Sequence, residues 1–395
     1  GSLITRTALP FAAILALNAT PFQLGLLRLA ELLPGFVIGL AAGAWLDRRS
    51  RRPVMVAADF ARAAVLATVP LAAIFGWLSI PQLMLVAVAM SVFNVAFDVA
   101  AQSWLPTNVP RDQLVTANSR ITAALSVAET ASFGIGGWLV QLLTAPFAIL
   151  VDAVSFLLSA FLLRSIEREE SPATPDRDRD TRSLLAEAAV GLRLVGTDPI
   201  LRPLLAANVG LALSFGIGMA AFLIFVNQDL GFSPGVLGLI FAMGGLSSLA
   251  GAVLANRMTR LPLGPVLVAC FLIAAAGNAL VPLATSAGVV GAALLIAQQF
   301  ITDPAYTVFE INQVSLRQGM VGDDMQGRVN ATMRVGDVGG QMIGAMLGGL
   351  IGNALGARTA LWIGIVPLAV TGVWLLLSPV RSLRTMPTRA VEPVA

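Results

Sequence analysis

Three acidic residues stand inside long apolar stretches of this sequence: Glu31, Glu129 and Asp303. A carboxylate in the core of a bilayer is costly unless it is paired or hydrated, so such residues mark proton relays and substrate sites. Glu129 is the first candidate for a proton-exchanging group, because it lies roughly 16 Å along a helix beyond Asn118 and so near mid-membrane. Asp303 precedes Pro304, and a charge beside a broken helix suits a binding or gating position. We predict proton coupling at these three acids. The alternative for Glu129 is a permanently paired or hydrogen-bonded carboxylate, and the alternative for Asp303 is a helix kink with a solvated carboxylate.

Further polar side chains in the apolar stretches are candidates for contact with a substrate. Arg6 is expected near mid-depth, where its planar guanidinium would pair with Glu129 or Asp303 or bind an anionic group of the substrate. The other predicted cavity residues are Asn94, Asn208, Gln298 and Gln341. Because the rest of the cavity should be apolar, we expect a bulky amphiphilic substrate rather than a sugar.

Two pairs of opposite charges are spaced for pairing on one helical face. Arg28 and Glu31 stand three residues apart, as do Asp59 and Arg62, and side chains at that spacing are neighbours on a helix. We predict a local ion pair for Asp59 and Arg62. For Glu31, pairing with Arg28 and titration remain alternatives.

The composition places these charges in a helical membrane protein. The chain is 57% hydrophobic and 12% charged, its mean hydropathy is +0.83, and its apolar stretches are long enough to cross a bilayer. A length of 395 residues accommodates about a dozen helical passes. The net charge of +3 comes from arginines between apolar segments rather than on one soluble face, so nucleic acid is not an expected partner.

Several kinds of chemistry are excluded by residue types that are missing. The chain has one cysteine, Cys270, and no histidine, so a disulfide framework, a Cys/His metal site and a Ser-His or Cys-His nucleophile pair are all excluded. It also contains no lysine and no GxxxxGK[ST] loop for ATP. We expect neither an enzyme nor a bound cofactor or metal.

The apolar segments divide into two sets of six around a polar linker. We predict an all-α integral membrane protein with an N-terminal six-helix bundle (1–163), a cytoplasmic linker containing an amphipathic helix (164–199), a C-terminal six-helix bundle (200–380) and a cytoplasmic tail (381–395). The first segment is short, so we expect it to be truncated at its N-terminus. The predicted segments are 1–17, 22–46, 54–76, 81–102, 115–143, 147–163, 200–226, 235–256, 262–284, 287–311, 328–352 and 358–379.

The loop charges predict the orientation of the chain. All 25 basic residues are arginine, and nearly all lie in or beside the linker, the tail and the loops on that same side. The positive-inside rule puts those loops and both termini in the cytoplasm. We expect a multi-pass protein of the inner cell membrane that acts as a monomer among lipids.

The two halves are related in sequence. A shift of 212 positions places FDVAAQS (97–103) on FEINQVS (309–315), pairing Asp98 with Glu310, and places Glu129 on Gln341. Such a match predicts two parallel six-helix repeats. Repeats of this kind hold the substrate site between them near the bilayer midplane.

The stretch GAWLDRRSRRPVM (43–55) contains GxxxDRxxRR between the second and third segments. It resembles the cytoplasmic signature loop of the major facilitator superfamily, a family of transporters with twelve passes in two halves. More narrowly, residues 33–63, NVPRDQLVTANS (108–119) and Asp152 resemble the branch of enterobactin exporters and macrolide efflux pumps. Ser2 departs from that branch, which carries an acid in the first helix.

The resemblance implies that the arginine-rich loop and its repeat form a cytoplasmic gate, which latches the halves together in the outward-open state. Gly43 would let neighbouring helices approach closely. The alternative is an arginine cluster that serves only as a positive-inside anchor. The predicted gate residues are Gly43, Asp47, Arg48, Arg51, Arg52 and Asp98, with Arg257, Glu310, Arg334 and Asp337 in the second half.

The leading functional hypothesis is a secondary exporter that exchanges protons for a lipophilic or siderophore-like small molecule by alternating access. A second hypothesis is a lipid or lysophospholipid flippase, or another facilitator, without proton coupling. A third is a non-transporting membrane sensor or secretion partner that docks through the linker and tail. The sequence leaves the substrate and the direction of transport open.

Overall fold

The computed structural model describes residues 2–46, 50–109, 113–166 and 190–385. The predicted gate residues Asp47 and Arg48 lie outside these ranges, as do most of the predicted linker and tail. Gly43 and Glu129 lie in helical stretches whose side chains are also outside the description. Their predicted roles stay predictions.

The first half of the described chain folds into six long helices. Pro34 and Pro70 lie inside two of them. The first short loop ends at Thr20, whose N–H donates to Gln23 Oε1 at 2.9 Å while the Gln23 N–H donates to Thr20 Oγ1 at 3.3 Å, a reciprocal cap. The helices are Ser2–Leu17 (α1), Pro21–Leu46 (α2), Arg51–Ile74 (α3), Ile80–Asn108 (α4), Leu114–Leu143 (α5) and Ala145–Ser165 (α6).

The second half repeats this pattern after a short helix at 190–197. Six long helices follow: Leu201–Ile224 (α7), Pro234–Arg257 (α8), Leu263–Asn278 (α9), Val289–Met320 (α10), Asp323–Leu355 (α11) and Ala357–Leu377 (α12). A π-helical turn, Phe225–Asp229, extends α7, and a further helical turn, Leu280–Leu283, follows α9.

Most of these helices can cross a membrane by length and composition alone. Among the described residues, nine helices are long and apolar enough, and the C-terminal part of α5 and most of α1 form shorter apolar helices. α10 does not meet the criterion, since polar residues such as Gln298, Gln299 and Asp303 interrupt it. The protein is an all-α membrane protein with twelve long helices in the described part of the chain.

The helix boundaries follow the sequence repeat. A shift of 212 carries α6 residue for residue onto α12, and it also aligns the ends of α5 and α11. The corner before α6 repeats as well, because Thr144 (φ 71°, ψ 158°) corresponds to Gly356 (φ 87°, ψ 155°). The positive φ costs nothing at Gly356 and is unfavourable at Thr144, where a Cβ is present. The two six-helix repeats predicted from the sequence are therefore present.

The helices group into two compact units. Unit 1 contains α1 to α6 together with Ser233–Ala242, which includes the start of α8. Unit 2 contains α7, the rest of α8 from Met243, and α9 to α12. The domain boundaries predicted from the sequence stay a prediction, because residues 167–189 lie outside the described ranges.

Glycines let the helices of unit 2 approach closely. A Cβ added at Gly348 of α11 would lie 2.5 Å from the Ile217 carbonyl oxygen of α7, and Gly344 and Gly340 meet the same helix one and two turns earlier. Small residues at four-residue spacing allow such backbone contact between membrane helices. The glycine-rich run 342–352 thus packs α11 on α7, as its spacing predicts.

A Gly348→Ala substitution should destabilise unit 2. The added methyl would overlap the α7 backbone, and relieving that overlap costs about 1–3 kcal/mol. Gly339→Ala on the same helix is the matched control, because its Cβ would meet nothing within 4 Å and alanine favours a helix over glycine. Thermal unfolding in detergent should separate the two variants. Equal unfolding temperatures would contradict the close packing.

Candidate functional site

Asp303 of α10 is a half-buried carboxylate held by α8. The Ser247 hydroxyl lies 2.7 Å from Asp303 Oδ2. Gly244, one turn before Ser247, leaves room for polar atoms: its missing Cβ would be 2.9 Å from Gln299 Oε1 and 3.1 Å from Asp303 Oδ2. We call Gly244, Ser247, Gln299 and Asp303 the Asp303 cluster. All four residues belong to unit 2.

The backbone around Asp303 packs closely against both α8 and α9. Pro304 removes one helical N–H donor from α10, and the Thr307 hydroxyl donates to the Asp303 carbonyl oxygen at 2.8 Å. A Cβ at Gly251 of α8 would lie 2.7 Å from Pro304 Cα, and one at Gly277 of α9 would lie 2.7 Å from Thr302 Cγ2. Two neighbouring helices therefore fix the position of the carboxylate.

A second polar contact lies one turn further along α10. Asn278 Nδ2 of α9 donates to the Tyr306 hydroxyl oxygen at 2.7 Å. The phenol therefore accepts from Asn278 and keeps its own hydrogen available for donation. Nothing in the sequence points to this contact, whose partners are 28 residues apart.

No arginine forms an ion pair with Asp303 among the residues that the structure describes. A carboxylate in this setting can bind and release a proton, or bind a cationic or hydrogen-bond-donating ligand. Within the same residues, no three potential metal ligands (His, Cys, Asp or Glu) lie together.

The other predicted coupling residues differ from Asp303. Glu31 Oε2 is paired with Arg28 Nη1 at 2.7 Å, and both side chains are largely buried. Of the two alternatives for Glu31, pairing with Arg28 and titration, the structure shows the pairing. The side chain of Glu129 is outside the description, and Gln341, its repeat partner, donates to Asp337 Oδ2 at 3.3 Å.

The predicted cavity amides are mostly engaged in helix packing. Asn208 is buried and donates to the Met333 carbonyl oxygen at 3.2 Å, which joins α7 to α11. Gln298 donates to Thr302 Oγ1 at 2.8 Å within α10. Arg6 is exposed on α1. The amide of Asn208 thus holds two helices together, and the part of these residues in a substrate cavity stays a prediction.

Comparison with known proteins identifies the family. The Major Facilitator Superfamily profile matches residues 2–310, which is most of the chain. The chain belongs to the major facilitator superfamily. An uncharacterised transporter of this superfamily, y4rN of Sinorhizobium fredii, is 26% identical over 65% of this chain and 62% of its own length. The multidrug efflux pump Tap of Mycolicibacterium fortuitum is 32% identical over 52% of this chain and 51% of its own length.

The chain therefore spans between half and two thirds of these two relatives. Solved structures agree on the fold. A bacterial homologue of the iron transporter ferroportin has a TM-score of 0.75 at 17% identity, covering 95% of both chains. The nucleoside transporter NupG has a TM-score of 0.74 at 13% identity, covering 95% of this chain and 96% of its own.

In this superfamily member, the arginine-rich loop leads directly into α3. Arg52 Nε donates to the Leu163 carbonyl oxygen at 2.9 Å, and its Nη2 donates to the Arg164 carbonyl oxygen. The guanidinium thus caps the C-terminus of α6, where a cation is favoured. This contact serves unit 1 internally, and the gating role of Arg52 stays a prediction.

The remaining predicted gate residues lie mostly at exposed positions. Glu310 accepts from Gln313 Nε2 at 2.8 Å, and Asp337 accepts from Gln341. Their part in a cytoplasmic latch stays a prediction. Arg51 and Asp337 are half-buried, and Asp98, Arg257, Glu310 and Arg334 are exposed.

Unit 1 contains a buried charge cluster of a different kind. Arg62 Nη2 pairs with Asp59 Oδ1, which confirms the ion pair predicted from the spacing, and its Nη1 donates to Asn94 Oδ1 at 3.0 Å. The guanidinium carbon lies 4.2 Å from the Phe97 ring centre and 4.4 Å from that of Phe156. Asp59 and Arg62 are 1% and 4% exposed, so the pair is fully removed from solvent.

A second buried carboxylate joins α6 to α1. Asp152 is 0% exposed. Its Oδ2 accepts from the Thr5 N–H at 3.2 Å and from the Thr5 hydroxyl, and its Oδ1 accepts from the Ser155 hydroxyl at 3.0 Å. Nothing in the sequence points to Thr5 as the partner of Asp152, because a threonine in an apolar helix gives no signal of its partner.

The repeat shows which of these contacts the scaffold requires. At the shift of 212, Asp59, Arg62 and Asn94 correspond to Phe271, Ala274 and Tyr306. Phe271 and Ala274 are buried in the apolar core of unit 2, and Phe271 packs edge-to-face on Phe309 with ring centres 4.8 Å apart. The same helix arrangement therefore forms without a buried ion pair.

Arg62→Ala should strongly destabilise unit 1, by about 3–5 kcal/mol, because it leaves Asp59 buried and unpaired. The triple variant Asp59→Phe/Arg62→Ala/Asn94→Tyr, which copies unit 2, should recover most of that loss, since apolar replacements of buried ion pairs are often neutral. Thermal unfolding of both variants tests this. A triple variant that unfolds at or below the temperature of Arg62→Ala would show that unit 1 needs the charges to fold.

Proposed function

We propose that this protein is a proton-coupled exporter of lipophilic small molecules, with Asp303 as the coupling carboxylate. The observation that carries the proposal is the setting of Asp303, which is half-buried in a membrane helix, bonded to Ser247, and has no arginine partner among the described residues. Membership of a transporter superfamily and the likeness to the efflux pump Tap support it.

The chemistry of the Asp303 cluster suits an exchange of a proton for a ligand. The ionised carboxylate accepts hydrogen bonds from Ser247 and from a bound ligand. Proton binding removes the charge and weakens the hold on a cationic or donor-bearing molecule. Competition between proton and substrate for one carboxylate is sufficient for antiport, provided that access to the site alternates between the two sides of the membrane.

The expected substrate follows from the surroundings of this carboxylate. Near Asp303, α8, α9 and α10 carry mainly apolar residues with a few amides and hydroxyls, and their other charges, Arg257, Glu310 and Arg317, lie toward the C-terminal ends of α8 and α10. An apolar molecule with one cationic or hydrogen-bond-donating group therefore fits best. An anionic, siderophore-like substrate would instead need an arginine such as Arg6. We place the protein in the cytoplasmic membrane with both termini inside, as its arginine distribution predicts.

A lipid or lysophospholipid flippase without proton coupling is the competing function. It predicts that Asp303 and Glu129 are replaceable by amides without loss of transport. A sensor or secretion partner would transport nothing.

Proton release in liposomes tests the proposal. Cationic dyes, macrolides, catecholate siderophores and lysolipids are added in turn to the reconstituted protein, with a pH-sensitive dye as the readout. Wild type should release protons with at least one cationic or neutral lipophile, and Asp303→Asn should abolish the release and leave only a weakened binding that no longer depends on pH. Asp229→Asn, at an exposed position beyond α7, is the control and should behave as wild type.

The remaining outcomes assign the function differently. Loss of release in Glu129→Gln but not in Asp303→Asn would move the coupling group to α5. Transport that proceeds without proton release in every variant would overturn antiport in favour of the flippase.

A further inference from the structure

Ser247 has two acceptors for one hydrogen. Its hydroxyl oxygen lies 2.7 Å from Asp303 Oδ2 and 2.8 Å from the Gly244 carbonyl oxygen of its own helix, and the side chain is 0% exposed. A serine hydroxyl can donate to only one acceptor at a time. An ionised carboxylate is the stronger acceptor, whereas a protonated one favours donation to Gly244. The hydroxyl therefore responds to the protonation state of Asp303.

Gly244 lies where α8 changes its surroundings. Residues up to Ala242 group with unit 1, and residues from Met243 group with unit 2. Gly244 and Gly245 follow at once, and each glycine weakens a helix by about 1 kcal/mol relative to alanine. A serine that donates to a carbonyl of the preceding turn also tends to bend its helix. The hydrogen bond from Ser247 to the Gly244 carbonyl oxygen thus lies at the pair of glycines where α8 bends most easily.

The first turn of α8 is held by α5 within unit 1. The Gly235 N–H donates to Gln141 Oε1 at 2.8 Å, which satisfies a donor that has no acceptor inside its own helix. Gly137 lies beside this bond, and its missing Cβ would be 2.5 Å from the Pro234 carbonyl oxygen and 2.8 Å from Gly238 Cα. We call these five residues the α5–α8 latch.

We propose that Ser247 transmits the protonation of Asp303 along α8 to the α5–α8 latch. This inference rests on the proposed coupling role of Asp303. With Asp303 ionised, Ser247 ties α8 to α10 and the latch stays closed. With Asp303 protonated, Ser247 donates to Gly244, α8 bends at Gly244–Gly245, and Gly235 moves away from Gln141. Proton binding in unit 2 is thereby converted into release of a contact in unit 1.

Few other charged groups can produce such a response. α8 carries a single charged residue, Arg257, at its C-terminal end, and α9 carries none. On α10 itself, Glu310 and Arg317 lie about two or more turns beyond Asp303, and Tyr306 is bonded to Asn278.

The equivalent positions in unit 1 supply a comparison. Gly35 and Ser91 correspond to Ser247 and Asp303 and also bond to each other, because the Gly35 N–H donates to Ser91 Oγ at 2.9 Å. That contact holds α2 to α4 without a titratable group.

Cross-linking of the latch tests the inference in the full chain. Gln141→Cys/Gly235→Cys is oxidised with copper phenanthroline in acidic and in alkaline buffer, and its rate is divided by that of an Asn208→Cys/Met333→Cys pair, which joins α7 to α11. This ratio corrects for the effect of pH on thiol reactivity. The single native cysteine, Cys270, is buried. The normalised rate should fall several-fold in acid, and the oxidised latch should block efflux until it is reduced.

Substitutions at Ser247 and Asp303 then separate the steps. Ser247→Ala should abolish the pH dependence of cross-linking, and Ser247→Thr, which keeps the hydroxyl, should restore it. Asp303→Asn should abolish it as well. Gly245→Ala stiffens α8 and should reduce the pH dependence of cross-linking. This variant replaces Ser247→Ala in the test if Ser247→Ala does not fold.

Two failures are distinguishable. A latch that responds to pH unchanged in Ser247→Ala, or does not respond at all in wild type, overturns this inference while leaving Asp303 as the coupling group. Proton release that survives in Asp303→Asn liposomes overturns the proposed function itself.

Discussion

The cost of placing a charge in an apolar interior governs the arrangement of polar residues in this protein. Several charged residues in the described helices have partners close by: Glu31 is paired with Arg28, Asp59 with Arg62, and Asp152 accepts from Thr5 and Ser155. A membrane offers no water to replace a missing partner. The first two contacts lie within one helix, whereas the bonds of Asp152 to Thr5 also join α6 to α1. Asp303 differs from Asp152, which is fully buried and accepts three hydrogen bonds, because Asp303 is only half-buried and accepts from the Ser247 hydroxyl.

The two repeats use one framework for different chemistry. In unit 1 the position of Arg62 holds a guanidinium between two aromatic rings, and in unit 2 the equivalent Ala274 is part of an apolar core. Conversely, the position of Ser91 in unit 1 is neutral, and its equivalent in unit 2 is the titratable Asp303. Each unit thus carries its buried charge at a site where the other has none. The shared backbone shows that these charges are additions to the fold rather than requirements of it.

Much of the fold was predictable, and the reasons are specific. Apolar segment length gave the twelve long helices, and the shift of 212 gave the repeat, since both depend on patterns that run along the chain. The Asp59–Arg62 pair was predictable because its partners are one turn apart. The contacts of Ser247, Thr5, Gln141 and Asn278 were not, because each joins residues far apart in sequence through a short, uncharged side chain. The bond of Asn208 to the Met333 carbonyl oxygen was not predictable for the same reason: the residue type was visible, but its partner was not.

The residue-for-residue match of α6 and α12, with the shared corner at Thr144 and Gly356, limits how the two halves can have diverged. One inserted residue would rotate the rest of a helix by about 100°. That rotation would move buried side chains to the lipid-facing surface along the whole remaining length. Substitution at fixed positions avoids this, so α6 and α12 differ in side chains while they keep the same length. Engineering that exchanges single residues between equivalent positions is therefore compatible with this fold, whereas insertion within a helix is not.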